Sequence, residues 1–276
     1  ARKKRLFIQA PTGVGKTMSA VFPSVKAIGE GLGDRIFYLT ARTVTRTVAE
    51  EAFRILREKG MKLKSVTLTA KEKLCVCEEM ECRPDVCPRA KGHFDRINQA
   101  VYELLTEGPD ELGREEILAH AEKHRVCPFE MSLDTASWTD AVICDYNYVF
   151  DPNVKLKRFF AEGVKGDYIF LIDEAHNLVD RGREMFSASL CKEDFLALRR
   201  RIRGRSPKLE RCLERCNKFL LGLKRECTDW QLHEDVGVFI LQLLQLSAEL
   251  DKIREEGLFQ DMERRFWTSG FRYAIF

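Results

Sequence analysis

Hydrophobic residues along this chain follow two rhythms. Short apolar or alternating runs at 5–9 (RLFIQ), 35–40 (RIFYLT) and 65–69 (SVTLT) read as strands. Between them, residues 16–30 and about 44–58 space their apolar positions as helices do. Strand, helix, strand, helix, strand predicts a parallel α/β sheet. Runs at 141–145 (AVICD) and 167–172 (DYIFLI) resume the buried strands. Residues 71–130 interrupt this rhythm with clustered cysteines, helices predicted at about 92–107 and 113–124, and a Gly108-Pro109 break, so they read as an insertion. After residue 185 the strand signals fade. Leu, Ile and Phe at three- and four-residue spacing predict helices at 191–203, 207–225, 235–255 and 258–268. The pattern divides the chain into an α/β domain (1–70 with 131–185), an insert (71–130) and a helical region (186–276).

Composition narrows the class. The chain has 276 residues, of which 45% are hydrophobic and 32% charged, enough for a real core. A net charge of +3 is too small to argue a nucleic-acid partner by itself. Every apolar run breaks well before 18 residues, so no transmembrane helix and no membrane partner are expected. Arg2, Lys3, Lys4 and Arg5 precede only Leu6–Ile8, which is too short for a secretory signal. Ten cysteines without such a signal point to a reducing, cytoplasmic setting and a metal or cluster site. The chain lacks an initiator Met and stops inside an aromatic stretch, Phe266 to Phe276, so a fragment of a longer polypeptide is expected.

Residues 10–17, Ala-Pro-Thr-Gly-Val-Gly-Lys-Thr, match the phosphate-loop pattern G-x-x-x-x-G-K-[ST] with Ala10 in the first glycine position. Thr12, Gly13, Val14 and Gly15 would turn backbone N–H groups around phosphate oxygens. Lys16 would neutralise the β- and γ-phosphates of ATP, and Thr17 would ligate Mg2+. The helix that follows points its positive end at the same anion.

The second half of the site is Tyr168-Ile-Phe-Leu-Ile-Asp-Glu-Ala-His176. Four apolar residues make a strand, and Asp173-Glu174 emerge at its C-terminal end, where parallel sheets bind ligands. Asp173 would hold the magnesium. Glu174 would orient or deprotonate the attacking water. An Asp-Glu pair at a strand end is more often a solvated helix start, but an upstream phosphate loop reverses that balance.

Cys75, Cys82, Cys87 and Cys127 form a C-x6-C-x4-C-x39-C series. Four thiolates hold a 4Fe–4S cluster or a zinc ion. The long loop to a lone Cys127-Pro128 suits a cluster better than the paired spacing of zinc sites. Cys77 is a fifth thiol in the same stretch. Cys144 reads as a packing residue, and Cys212 with Cys216 is a weak metal pair.

The phosphate loop and Asp173-Glu-Ala-His176 together resemble superfamily 2 helicases with a DEAH box. The cysteine insert between them makes the chain similar to the XPD/DinG-type iron–sulfur DNA helicases, and to their bacterial members most of all. The segments that carry the likeness are Lys73-Leu74-Cys75, Cys87-Pro-Arg-Ala-Lys-Gly92, Val126-Cys-Pro-Phe129 and Asp145-Tyr-Asn-Tyr-Val-Phe-Asp-Pro152. The likeness runs from residue 5 to about 180. Beyond that it rests on position alone, because the family places a helical arch after the DEAH box.

The resemblance implies a RecA-like motor domain interrupted by an iron–sulfur insert, then a partial arch. It implies ATP, Mg2+ and a 4Fe–4S cluster as cofactors, and His176 as the residue that couples hydrolysis to a partner domain. It favours Cys75 over Cys77 as first cluster ligand, because Lys73-Leu74 precedes Cys75. It implies 5′-to-3′ translocation by a monomer on single-stranded or forked DNA.

In the resembled family Thr40-Ala-Arg-Thr43 holds the strand backbone, which assigns Arg42 and Thr43 to phosphates. Thr43 serves equally as a helix N-cap. Tyr146 and Tyr148 follow a strand end, where they stack on bases or pack the loop. The run Arg199-Arg-Arg-Ile-Arg-Gly-Arg205 suits a strand channel, although such runs are more often solvated helix faces. Two rivals stay open: an RNA-directed DEAH ATPase with a zinc insert, and a non-catalytic single-strand-binding module.

Overall fold

The computed structural model describes residues 5–255, apart from Thr12, Arg42 and Glu79. The helix expected at 258–268 lies outside the described residues. The chain divides into two compact units, residues 1–186 and 187–276.

The first unit is a five-stranded parallel sheet in the order β3-β2-β4-β1-β5. Helix α1 (Lys16–Gly29) leads to β1 (Arg35–Leu39), α2 (Thr43–Glu58) and β2 (Ser65–Thr67). Then come α3 (Lys71–Leu74), α4 (His93–Glu107), β3 (Glu111–Leu112), α5 (Arg114–His124) and α6 (Pro128–Ala136). Strand β4 (Ala141–Cys144), α7 (Asn147–Phe150), α8 (Lys157–Phe160), β5 (Tyr168–Ile172) and α9 (Leu178–Met185) complete it.

Strand residues alternate between two faces, and each face has its own core. Ile36, Tyr38, Ala141 and Ile143 pack under α1 and α2 with Val21, Phe53 and Leu56. Phe37, Leu39, Val66 and Val142 face the other way, against Leu104 of α4, Ile117 of α5 and Met131 of α6. The cysteine-bearing segment therefore shares the main core and adds an edge strand to the sheet. Strand β3, only two residues long, is too short to register as a period in the sequence.

One predicted strand is missing. Residues 5–9 are irregular, and Leu6, Phe7 and Ile8 are 81%, 87% and 66% exposed. Three apolar residues set a preference for extended backbone, but a ladder partner decides the matter, and none among the described residues holds them. The consequence appears on β5, which is an edge strand with Phe170 and Ile172 partly exposed rather than a buried central one.

The second unit packs α10 (Lys192–Ile202), α11 (Pro207–Glu226) and α12 (Gly237–Glu255) around Phe195, Leu198, Leu213, Cys216 and Leu246. Ser206 caps α11, its hydroxyl accepting from the Leu209 N–H at 3.3 Å, with Pro207 at the first helical position. The rings of Phe219 and Phe239 stack at 4.8 Å. Cys212 and Cys216 are buried packing residues here.

Candidate functional site

The phosphate loop is shaped by two left-handed glycines, Gly13 at φ 85° and Gly15 at φ 79°. Only glycine adopts that conformation without a steric cost. Gly15 stands as N-cap of α1, so the helix begins at Lys16 with its first N–H groups turned to the loop. Thr12 lies outside the described residues, as do Arg42 and the side chain of Thr43. The backbone of Thr43 is the first residue of α2, one position inside the N-cap expected of it.

Parallel pairing of β1 with β5 brings the other half of the site alongside. Leu39 stands opposite Ile172, and the Asp173 N–H donates to the Leu39 carbonyl at 3.0 Å. Tyr38, buried on β1, reaches the side chains of both Thr17 and Asp173 with its hydroxyl. The two expected magnesium ligands thus lie within reach of one phenol, on a residue with no signal in the sequence. Burial raises the Asp173 carboxyl above its ordinary range, the Glu174 charge adds to the rise, and Lys16 opposes it. A cation at Asp173 would relieve that cost.

Glu174 sits at φ 50°, ψ 46°, in left-handed backbone. A non-glycine residue there costs roughly 1–3 kcal/mol and persists only where its surroundings impose it. A 3-10 turn, Ala175–Asn177, follows. The His176 Nδ1 lies 3.3 Å from the Glu174 carboxylate, and the His176 side chain is 73% exposed. The Asn177 amide donates to the Glu174 carbonyl at 3.1 Å.

Tyr146 corrects an expectation. It is fully buried, and its hydroxyl donates to the Asp173 carbonyl with the Glu174 carbonyl 3.3 Å away. A ring enclosed in the core offers no face to a base. Tyr148 is also buried and packs the loop.

The cysteines fall into two groups. Cys77 Sγ lies 3.8 Å from Cys87 Sγ, and Cys75 Sγ lies 3.9 Å from the Cys77 carbonyl. Cys82 and Cys127 are both close to Lys71. The Lys71 ammonium is desolvated, yet its pKa stands raised because it bonds Cys82 and has Cys127 nearby. Burial, together with the neighbouring Cys87 and Cys75 thiols, pushes Cys77 up to about 11. Burial likewise raises Cys127. Among the described residues, no three His, Cys, Asp or Glu side chains are grouped to hold a metal. The donors still suit a thiolate-bound centre: five free cysteines lie between residues 75 and 127, and none is a buried core residue. The fifth thiol, Cys77, is the one that faces Cys87.

A phosphate loop at a helix start faces a strand-end Asp-Glu across parallel strands, an arrangement suited to binding a nucleotide. The DEAD_2 family model matches residues 39–195, more than half of the chain, and the chain belongs to that family. The curated relatives it matches carry the name of a helicase. The chain is 22% identical, across 96% of its length, to the Regulator of telomere elongation helicase 1 homolog of Caenorhabditis elegans, and covers 29% of that protein. It is 27% identical to Regulator of telomere elongation helicase 1 of Homo sapiens across 51% of this chain and 12% of the human one. The chain thus spans less than a third of these curated relatives. Two solved structures share the fold at 18% identity across 91% of this chain. A truncated XPD has a TM-score of 0.53 with 71% of its chain covered, and an XPD helicase has 0.50 with 43% covered. No helix among the described residues is long and apolar enough to cross a membrane.

Proposed function

We propose that this chain is the first motor domain of an ATP-dependent DNA helicase, carrying a 4Fe–4S insert and part of a helical arch. The carrying observation is the convergence of Lys16, Thr17, Tyr38 and Asp173 at the C-terminal edge of the parallel sheet. Backbone N–H groups of Gly13, Val14 and Gly15 cradle the phosphates, with Thr12 in the same loop. Lys16 neutralises the β/γ oxygens. Thr17 and Asp173 hold Mg2+, which when bound neutralises charge on the phosphates. Glu174 orients the attacking water and accepts its proton, and His176, exposed beside Glu174, relays the state of the site to a partner domain.

Cys82, Cys87 and Cys127, with Cys75 or Cys77, hold the cluster, which when bound cross-links segments far apart in sequence. Arg42 and Thr43 contact the strand backbone, and the Arg199–Arg205 run adds charge for it. The reading places 1–70 and 131–185 in the motor, 71–130 in the insert and 186–276 in the arch, in a monomer acting 5′ to 3′ in the cytoplasm.

Charge compensation by an arginine finger typically contributes 10³–10⁵-fold, roughly 4–7 kcal/mol. In two-domain motors that arginine comes from the second motor domain, and the relatives are several times longer than this chain. Residues 1–276 alone therefore bind ATP weakly and turn it over at a barely detectable rate. The test is ATP hydrolysis with and without single-stranded DNA, for residues 1–276 and for the full-length protein. DNA-stimulated turnover by the full-length protein alone is expected. Robust stimulated turnover by 1–276 points to a self-contained ATPase instead.

A further inference from the structure

The geometry points to Tyr146 as a positioning residue for the catalytic carboxylate: its buried hydroxyl, bonded to the Asp173 and Glu174 carbonyls, holds Glu174 in its left-handed turn. This rests on the reading above, in which Glu174 acts on the attacking water.

Three observations meet here. Glu174 is the one residue of Asp173–His176 with positive φ, and in the whole described chain only Arg125 shares that feature among non-glycine residues. Such a turn needs an external hold, because the residue itself prefers ordinary helical or extended backbone. Tyr146 provides a hold at that point: it comes from the end of β4, two strands from β5 in the sheet, and is fully buried. Its neighbours grip the same segment further on. Arg181, on α9, donates to the Asp145 carboxylate at 3.3 Å and to the Asn147 side-chain oxygen at 3.0 Å. The Asp145-Tyr146-Asn147 loop is therefore tied to the DEAH segment at its turn and, through Arg181, at the helix that follows.

A phenol donates one hydrogen, and here it is shared between two carbonyls of consecutive residues. Both carbonyls flank the Glu174 backbone, so moving either rotates the carboxylate. Both partners are carbonyl oxygens, which only accept, so the phenol is the donor. Removing the hydroxyl leaves Gly13, Gly15 and Lys16 in place on another element, and Asp173 stays anchored to β1 through its N–H on the Leu39 carbonyl at 3.0 Å, so the groups that hold nucleotide and Mg2+ keep their places. Positioning loss then appears in turnover and not in binding.

The test uses the full-length protein. Tyr146→Phe is expected to lower kcat for ATP about tenfold while KM, nucleotide affinity and melting temperature stay close to wild type. Unchanged kcat overturns the proposal, and so does a parallel fall of kcat, nucleotide affinity and melting temperature, which marks a packing role. Should Tyr146→Phe fail to fold, 4-aminophenylalanine at position 146 keeps the ring and an N–H donor: kcat is expected to stay close to wild type, and a folded variant that loses turnover overturns the proposal. Glu174→Gln separates the two levels. If it keeps wild-type turnover, or if wild type has none, the functional reading fails and this inference with it. If Glu174→Gln is dead while Tyr146→Phe is fully active, only the positioning role fails.

Discussion

The nucleotide half and the cysteine half of the first unit are built on different principles. In the first, backbone geometry makes the site: two left-handed glycines, a helix start, and a strand register that sets Asp173 beside Leu39. In the second, side chains must make it, and the thiols stand as Cys75, Cys77 and Cys87 together, with Cys82 and Cys127 near Lys71. A phosphate site is complete once the chain folds. A thiolate site is completed by the metal, whose binding energy goes into ordering its ligands.

The comparison fails first if the nucleotide half is not the engine. Lys16→Ala and Glu174→Gln in the full-length protein should each lower DNA-stimulated ATP turnover by ~10³-fold or more, about 4 kcal/mol. A steady-state phosphate-release assay reads this, and near-wild-type rates in either variant would remove the site from catalysis.

It sharpens next on the metal. Protein purified without oxygen should be brown and contain about four irons, absorbing near ~400 nm as iron–sulfur thiolates do. Cys82→Ser, Cys87→Ser and Cys127→Ser should each lose the colour, as should Cys75→Ser, while Cys77→Ser keeps it. The reverse outcome for the last two passes the ligand role to Cys77. Stoichiometric zinc without iron sinks the cluster.

Smaller effects belong to the loop. A Cβ on Gly13 or Gly15 meets nothing within 4 Å, so alanine there pays only for its backbone conformation. That cost is about 1–2 kcal/mol, which should weaken nucleotide binding roughly 5- to 30-fold. Calorimetric titration with ADP checks it, and a loss far beyond that range means that the side chain clashes with the bound phosphate.

Acid dependence follows from Asp173. Its raised pKa means that magnesium-dependent nucleotide affinity falls on acidification at a higher pH than an ordinary aspartate gives. Because the Glu174 charge contributes to the rise, Glu174→Gln should move that limb to lower pH. An unmoved limb leaves burial as the sole cause.

The smallest expected change is in the helical unit. Arg199 already pairs with Glu214 at 3.5 Å. Arg199→Glu, Arg201→Glu and Arg203→Glu together should weaken single-strand binding regardless of sequence. They should reduce the salt slope by roughly 2, at ~0.7 per phosphate contact. Unaltered affinity makes the run a solvated face.

Much of this was legible in the sequence because it depends on local period. The strands at 35–39, 141–144 and 168–172 and most helices begin and end within two residues of their patterned runs. The phosphate loop was legible because its glycines encode a backbone shape. What depends on distant partners was not. Residues 5–9 have strand character but no ladder partner, and Glu111–Leu112 has a partner but no visible period. Tyr38 carries no signal in the sequence and Tyr146 reads as a base-stacking or loop-packing ring, and only the fold reveals which polar groups their hydroxyls meet. Cys77 reads as a fifth thiol behind Cys75, yet its Sγ lies 3.8 Å from that of Cys87.

The most direct test of the comparison strips the metal from the full-length protein with a chelator and follows two quantities. One is ADP affinity by calorimetry, and the other is amide exchange across residues 71–91. The account predicts affinity within about twofold of the metal-bound protein while protection across 71–91 collapses, since only the second site is assembled by its ligand. A collapse of nucleotide affinity on metal removal, or unchanged protection across 71–91, would contradict it.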